Sequence, residues 1–159
     1  MKLTIKARLF LGFSILGLLF VVLGIVAISS LSTINNSTNE ITGNSLPSVD
    51  YAHSIDTKAS DYRIKELRHV LSDNVEELDG LEEEMSSLDR EVKDGIVAYN
   101  NVISSDQDRQ IIKTVEAEWE VYLEISKRVI SLSRALKTQE AIELAANESK
   151  TSFENLSNL

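Results

Sequence analysis

The chain has 159 residues, 43% of them apolar, and a formal charge of −9 from 16 Lys and Arg against 25 Asp and Glu. A net-acidic chain with no basic stripe cannot gather the phosphate contacts that drive nucleic-acid affinity, and without cysteine it has no disulfide framework, thiol nucleophile or cysteine zinc site. One proline and six glycines leave little material for the turns of a many-stranded β fold, so an all-α architecture is expected.

The charges are unevenly placed. Lys2, Lys6 and Arg8 open the chain, no charged residue follows until Glu40, and the remainder carries 13 bases against 25 acids, or −12. Residues 1–8 therefore read as a basic cytoplasmic lead. Residues 9–31, LFLGFSILGLLFVVLGIVAISSL, carry no charge and as a helix would extend roughly 34 Å, enough for a bilayer core of about 30 Å. The positive-inside bias would hold the N-terminus in the cytoplasm and put residues 32–159 on the other side. A cleaved secretory signal shares the basic start, but its apolar run is usually about 7–15 residues and ends at a small-x-small site. Ala27-Ile28-Ser29 matches that site poorly, which favours an anchor. Gly12, Gly17 and Gly24 do not fall at the four-residue spacing of a GxxxG dimer face.

After the polar stretch SSLSTINNSTNEITGNS, Pro47 either opens a helix over about residues 47–72 or kinks one emerging from the membrane. Asn74 with Glu77, and Ser104-Ser105 with the acids after them, are helix start signals, so turns are expected near 73–75 and 104–106. Between them Leu78, Leu81, Met85, Leu88, Val92, Gly95, Tyr99 and Val102 recur by three and four. A second stripe is Ile111, Val115, Tyr122, Ile125, Val129, Leu132 and Leu136, with Glu118 at its one polar position and Trp119 beside it. Such spacing implies long helices packed at shallow angles. A further break near 137–139 precedes a last helix with Ala141, Ile142, Leu144, Ala145, Phe153 and Leu156, which reaches Leu159 without a stop signal. The expected fold is an N-terminal transmembrane helix followed by an antiparallel up-down four-helix bundle with its last helix truncated.

These elements, in this order, resemble the first transmembrane helix and four-helix-bundle ligand-binding domain of bacterial methyl-accepting chemotaxis proteins. The opening MKLTIKARLFLGFSILGLLFVVLGIVAISSL looks like that family's basic lead and first membrane helix. Leu46-Pro47-Ser48, followed by Tyr62-Arg63-Ile64-Lys65-Glu66-Leu67-Arg68-His69-Val70-Leu71, is similar to its proline and Arg-rich first bundle helix. The resemblance implies a homodimeric receptor in the inner membrane of a bacterium, with its bundle in the periplasm or outside. It also implies that the bundle binds a small polar molecule, such as an organic acid or amino acid, and moves one helix to control a cytoplasmic histidine kinase. The same sensor type occurs on membrane histidine kinases and diguanylate cyclases. A membrane-anchored helical protein-interaction module remains the alternative outside sensing.

Following Ile55, Ala59 and Tyr62 by the three-four rule leads to Glu66 and His69, with Arg63 beside the seam. Polar groups directed into a core must find partners or bind something. Arg63 with Tyr62 could form an anion pocket, since Arg suits bidentate carboxylate recognition, or Arg63, Glu66 and His69 could satisfy one another. Trp119, Tyr122, Arg128 and Arg134 could form the opposite wall, although Arg128 lies six residues after Tyr122, off its face, and Arg134 is likewise offset from the stripe. The ligand-binding candidates are thus Tyr62, Arg63, Tyr122 and Arg128. His53 and His69, 16 residues apart, make no i,i+4 metal pair, and no catalytic motif stands out, so neither a metal, a cofactor nor an enzymatic activity is expected.

Overall fold

A computed structural model describes residues 5–40, 42–43, 46–103 and 105–159. Lys2 and Ser104 of the sequence reading lie outside them, and of Arg8 and Glu40 only the backbone is described. The chain divides into two units at residue 42.

The first unit is one helix, α1, Ile5–Glu40. Within it Phe13–Asn35, 23 residues of mean hydropathy 2.6 with none of its window buried, is long and apolar enough to cross a membrane by length and composition. It is apolar all round, as a lipid-facing helix must be and a surface helix of a soluble domain is not.

The regular elements of the second unit's described residues are helices: α2 Leu46–Leu71, α3 Val75–Val102, α4 Asp106–Arg134, and a last helix made of α5 Thr138–Leu144, a π turn Ala145–Ser149 and α6 Lys150–Ser157. Pro47 opens α2 in its first turn, where its missing N–H is not needed. The Asn74 side chain accepts the Glu76 N–H at 3.0 Å and the Ser105 hydroxyl accepts the Gln107 N–H at 3.1 Å, so both expected caps start their helices. The third turn is a Schellman close: Lys137 N–H donates to the Leu132 carbonyl and Leu136 N–H to that of Ser133, both at 3.0 Å.

Side-chain pairs give the topology. Lys58–Glu91 at 2.6 Å, Lys65–Glu84, and Arg68–Glu77 at 3.0 Å run in opposite senses along α2 and α3. Ser126 reaches Tyr62 and Ser133 reaches His69, so α4 runs parallel to α2, and the last helix returns antiparallel, with Ser149 against Arg63. This is the expected up-down four-helix bundle.

The seams decide what lies inside. In α3 Leu78, Leu81, Met85, Leu88 and Val92 are buried as expected, but Ile96 rather than Gly95 continues the line. A Cβ on Gly95 would stand 2.9 Å from Ile55 Cγ1, so the missing side chain lets α2 approach. In α4 the expected stripe is displaced: the seam is Ile112, Val115, Trp119, Tyr122, Ser126, Val129 and Ser133, and Ile111 and Leu136 are exposed. Tyr62, Trp119, Tyr122 and Phe153 form the aromatic centre, with ring centroids 5.2 to 5.8 Å apart.

Leu136 takes the left-handed conformation of the Schellman close, with φ of 57°, although it has a side chain and is 76% exposed. A left-handed non-glycine residue is strained by about 1 kcal/mol, and this one loses no packing on truncation. Leu136→Gly is expected to raise the unfolding free energy by about 1 kcal/mol, read as a higher urea midpoint at unchanged slope.

Candidate functional site

The buried face of α2 is Ile55, Ala59, Tyr62, Glu66, His69 and Val70, so the three-four rule carries two ionisable residues into the core, each 0% exposed. Side chains from the neighbouring helices supply partners to both.

Glu66 lies at the centre. Its Oε1 accepts from Arg63 Nη1 at 2.5 Å and from the Ser149 hydroxyl at 2.8 Å, and its Oε2 accepts from the Tyr122 hydroxyl at 3.1 Å. Arg63 comes from one turn back on the same helix, Tyr122 from α4 and Ser149 from the π turn. The guanidinium extends the network: Nη1 also donates to the Ser149 hydroxyl at 2.6 Å, and Nη2 donates to the Ala145 carbonyl at 2.8 Å. One carboxylate and one guanidinium thereby tie three helices together with charge-assisted bonds. Burial pushes the Tyr122 hydroxyl well above the ordinary tyrosine range, and the Glu66 charge adds to it. Burial likewise raises Tyr62, whose hydroxyl accepts from Ser126 at 3.4 Å.

A second polar station lies one turn along α2 from Glu66. His69 contacts the Ser133 hydroxyl through Nδ1 at 2.9 Å and Glu82 Oε1 through Nε2 at 3.0 Å. Arg134 donates from Nε to the same Glu82 oxygen at 2.6 Å and pairs with Asp79. Hydrogen bonding from Arg134, with His69 adding to it, holds the Glu82 carboxyl below the usual carboxylate range.

Of the four sequence candidates, Tyr62, Arg63 and Tyr122 meet at this centre, while Arg128 does not. Arg128 is exposed and pairs with Glu148 at 2.8 Å on the outer surface. The sequence reading left open whether Arg63 faces a ligand or its neighbours; here its donors face Glu66 and, on the last helix, Ser149 and Ala145, while His69 is met separately by Ser133 and Glu82. Ser149 was not singled out in that reading, and Ala145 entered it only as part of the last helix, not as a partner of Arg63. Small residues in a seam carry no hydrophobic signal, and only the buried carboxylate beside them announces a partner. Trp119, expected beside the stripe, sits in the seam and donates to Asp89 at 3.0 Å.

Beyond the aromatic centre, away from His69, a cavity of about 340 Å³ is lined by Ile55, Ala59, Val92, Trp119, Phe153 and Leu156, with Leu159 at its rim. Its walls are mainly apolar, with the acid of Asp56 and the hydroxyl of Tyr99 among the polar groups. The outer face of α2 carries a different feature. Leu46, Val49, Ile64, Leu67 and Leu71 are all exposed and recur by three and four, joined by His53, Thr57 and Ser60. At about 100° per residue this line lies opposite the buried seam. Among the described residues no group of three or more His, Cys, Asp and Glu is placed to hold a metal ion.

The family described as a four helix bundle sensory module for signal transduction matches residues 2–159. A protein of Bacillus subtilis (strain 168) named as a sensory transducer, YvaQ, is 22% identical over 156 residues, which are 98% of this chain and 27% of that protein. The chain thus spans about a quarter of the length of that relative. No solved structure matches the chain.

Removing Arg63 alone would strand a buried carboxylate, a change that destabilises by about 3–5 kcal/mol, whereas replacing both members of such a pair with neutral residues of similar volume is often close to neutral. Arg63→Ala is therefore expected to lower the unfolding free energy by that amount, and Arg63→Met combined with Glu66→Gln to recover most of it, by urea titration of both variants.

Proposed function

Since this chain belongs to the family of four-helix-bundle sensory modules for signal transduction, we propose that it is the sensing portion of a membrane chemoreceptor. In this reading α1 anchors it in the cytoplasmic membrane of a bacterium, with the N-terminus inside and the acidic bundle in the periplasm or outside. The observation that carries the reading is the conjunction, under one family match, of a charge-free helix of membrane length and a bundle whose core holds an ion pair shared among three helices. Apolar replacements would often serve stability as well or better than such a pair. Its presence fits a protein that uses competition for a buried charge.

A small polar ligand bearing a carboxylate, an organic acid or amino acid, would act by competing with Glu66 for Arg63. The network would open between α2 and the last helix, and the displacement of that helix would pass across the membrane to a cytoplasmic signalling kinase. Tyr62 and Tyr122 would flank the anion. Arg128, on the surface with Glu148, is not required by this mechanism. Titration calorimetry of the purified chain against a panel of amino acids and organic acids is expected to give saturable heat with at least one carboxylate, lost in the Arg63→Met, Glu66→Gln double variant. No heat across the panel would remove the support for direct sensing.

The outward line on α2 supports a homodimer. Copies anchored by the same helix stand parallel in the membrane, and a two-fold axis then sets each residue of the line beside its own counterpart, as a self-complementary patch requires. With no native cysteine, Ile64→Cys gives a single reporter. It is expected to form disulfide-linked dimers on mild oxidation in membranes, whereas Val97→Cys, an equally exposed apolar site on α3, is expected not to. The reverse pattern would move the interface off α2.

A further inference from the structure

The last helix departs from α geometry where it passes Arg63. Across Ala145–Ser149 it opens into a π turn, in which the Lys150 N–H reaches the Ala145 carbonyl five residues back, and the same carbonyl accepts Arg63 Nη2 at 2.8 Å. Such turns insert one extra residue into a helix and occur mostly singly, often where a helix has work to do.

The seam shows what the extra residue achieves. With α5 held by buried Ala141 and Ala145, a helix that stayed α throughout would turn about 90° further over these five residues, about one residue position. Ser152 would then point where Phe153 now packs on Tyr122, and Asn155 where Leu156 is now buried. The π register seats those two apolar side chains. It also buries the Ser152 hydroxyl without a partner, which works against it. Two registers of α6 thus compete, with apolar burial favouring one, and an orphaned hydroxyl and a loosened helical turn favouring the other. The guanidinium of Arg63, besides pairing with Glu66, bonds both ends of the π turn, the Ala145 carbonyl and the Ser149 hydroxyl.

We propose that the π turn is a register switch locked by Arg63. While the guanidinium holds Ala145 and Ser149, α6 keeps the π register. When Arg63 is withdrawn, the turn closes to α and α6 rotates by about one residue position around its axis. The switch needs no ligand to exist and stands whether or not the small-molecule reading above holds.

The test uses paired spin labels on the full chain in lipid nanodiscs, at Glu154→Cys on α6, which the rotation carries to the exposed place of Asn155, and Lys113→Cys on α4, both exposed positions in a chain free of cysteine. Pulsed electron resonance is expected to give one distance in the otherwise native chain. A second discrete distance is expected when Arg63→Met and Glu66→Gln are added, since this removes the guanidinium without stranding the carboxylate, and the occupancy ratio is expected to change by about tenfold or more. Arg63→Lys is the second variant: an ammonium lacks the fork that reaches Glu66 and Ala145 together, so it is expected to populate the same new distance. Deleting Asn147 from the turn gives the control. It lets a continuous α-helix keep Phe153 and Leu156 inward, so removing Arg63 in that background is expected to leave the distance unchanged. A single unshifted distance in both Arg63 variants overturns the switch. So does a broad distribution, which would mean fraying, or the same second distance in the deletion background.

Discussion

A carboxylate that water cannot reach must be matched by donors, and in this bundle that carboxylate is Glu66. Its three donors come from α2, from α4 and from the last helix. Each donor is useful only within a few tenths of an ångström, so the axial positions of those helices are set together at this point. Apolar packing in a bundle tolerates sliding by small amounts because one Leu or Ile resembles another. The Glu66 network does not, and the Tyr62, Trp119 and Tyr122 rings packed beside it inherit its register. Arg63 adds the fourth constraint by capturing the Ala145 carbonyl, so the departure of the last helix from α geometry depends on the same charge pair.

The helices and turns were legible because caps and three-four spacing are local signals. Asn74 and Ser105 read as helix starts and act as such. The α2 seam was legible even where its chemistry was unexpected: extending it by spacing alone reached Glu66 and His69, both fully buried. On α4 the apolar residues misled. Ser126 and Ser133 occupy seam positions, and following Ile111, Ile125, Leu132 and Leu136 instead rotated the stripe by one residue. Trp119 as the anchor, stepped by three and four in both directions, gives the observed line. The π turn left no trace, because Ala, Asn, Glu and Ser break no helix and its cause lies on another helix, in Arg63. The outward line on α2 was hidden by the same limitation in reverse, since His53, Thr57 and Ser60 interrupt its apolar residues.

The bundle is therefore polar and apolar in different places for different reasons. Near Ser72 and Asn74 the helices are joined by His69, Ser133, Glu82 and Arg134 and by the Arg68–Glu77 pair. Toward the start of α2 the contacts are aliphatic and aromatic, and packing there leaves a cavity of about 340 Å³. Polar contacts resist sliding and tolerate water, while apolar contacts tolerate rotation and resist water. A helix anchored by the first kind over the π turn, Ala145 and Ser149, and by the second kind over Phe153 and Leu156, can pivot between them, just past that turn.

That arrangement bears on why a sensory module would keep a charge pair in its core. A purely apolar seam would offer a polar molecule no group to pair with, and so little differential affinity with which to shift it. A buried pair contributes little net stability while intact, since desolvation offsets most of the attraction, yet breaking it is expensive unless something replaces the lost partner. A bound carboxylate could stand in for Glu66 at Arg63, leaving Glu66 its Tyr122 donor, so that the ligand's pairing with the guanidinium offsets part of the cost of separating the pair. The chain's own chemistry makes the exchange possible: Arg63 is 12% exposed at its side chain, and Glu66 is sealed. An incoming anion would meet the guanidinium first, and the helix carrying Ala145 would be the first to lose its hold.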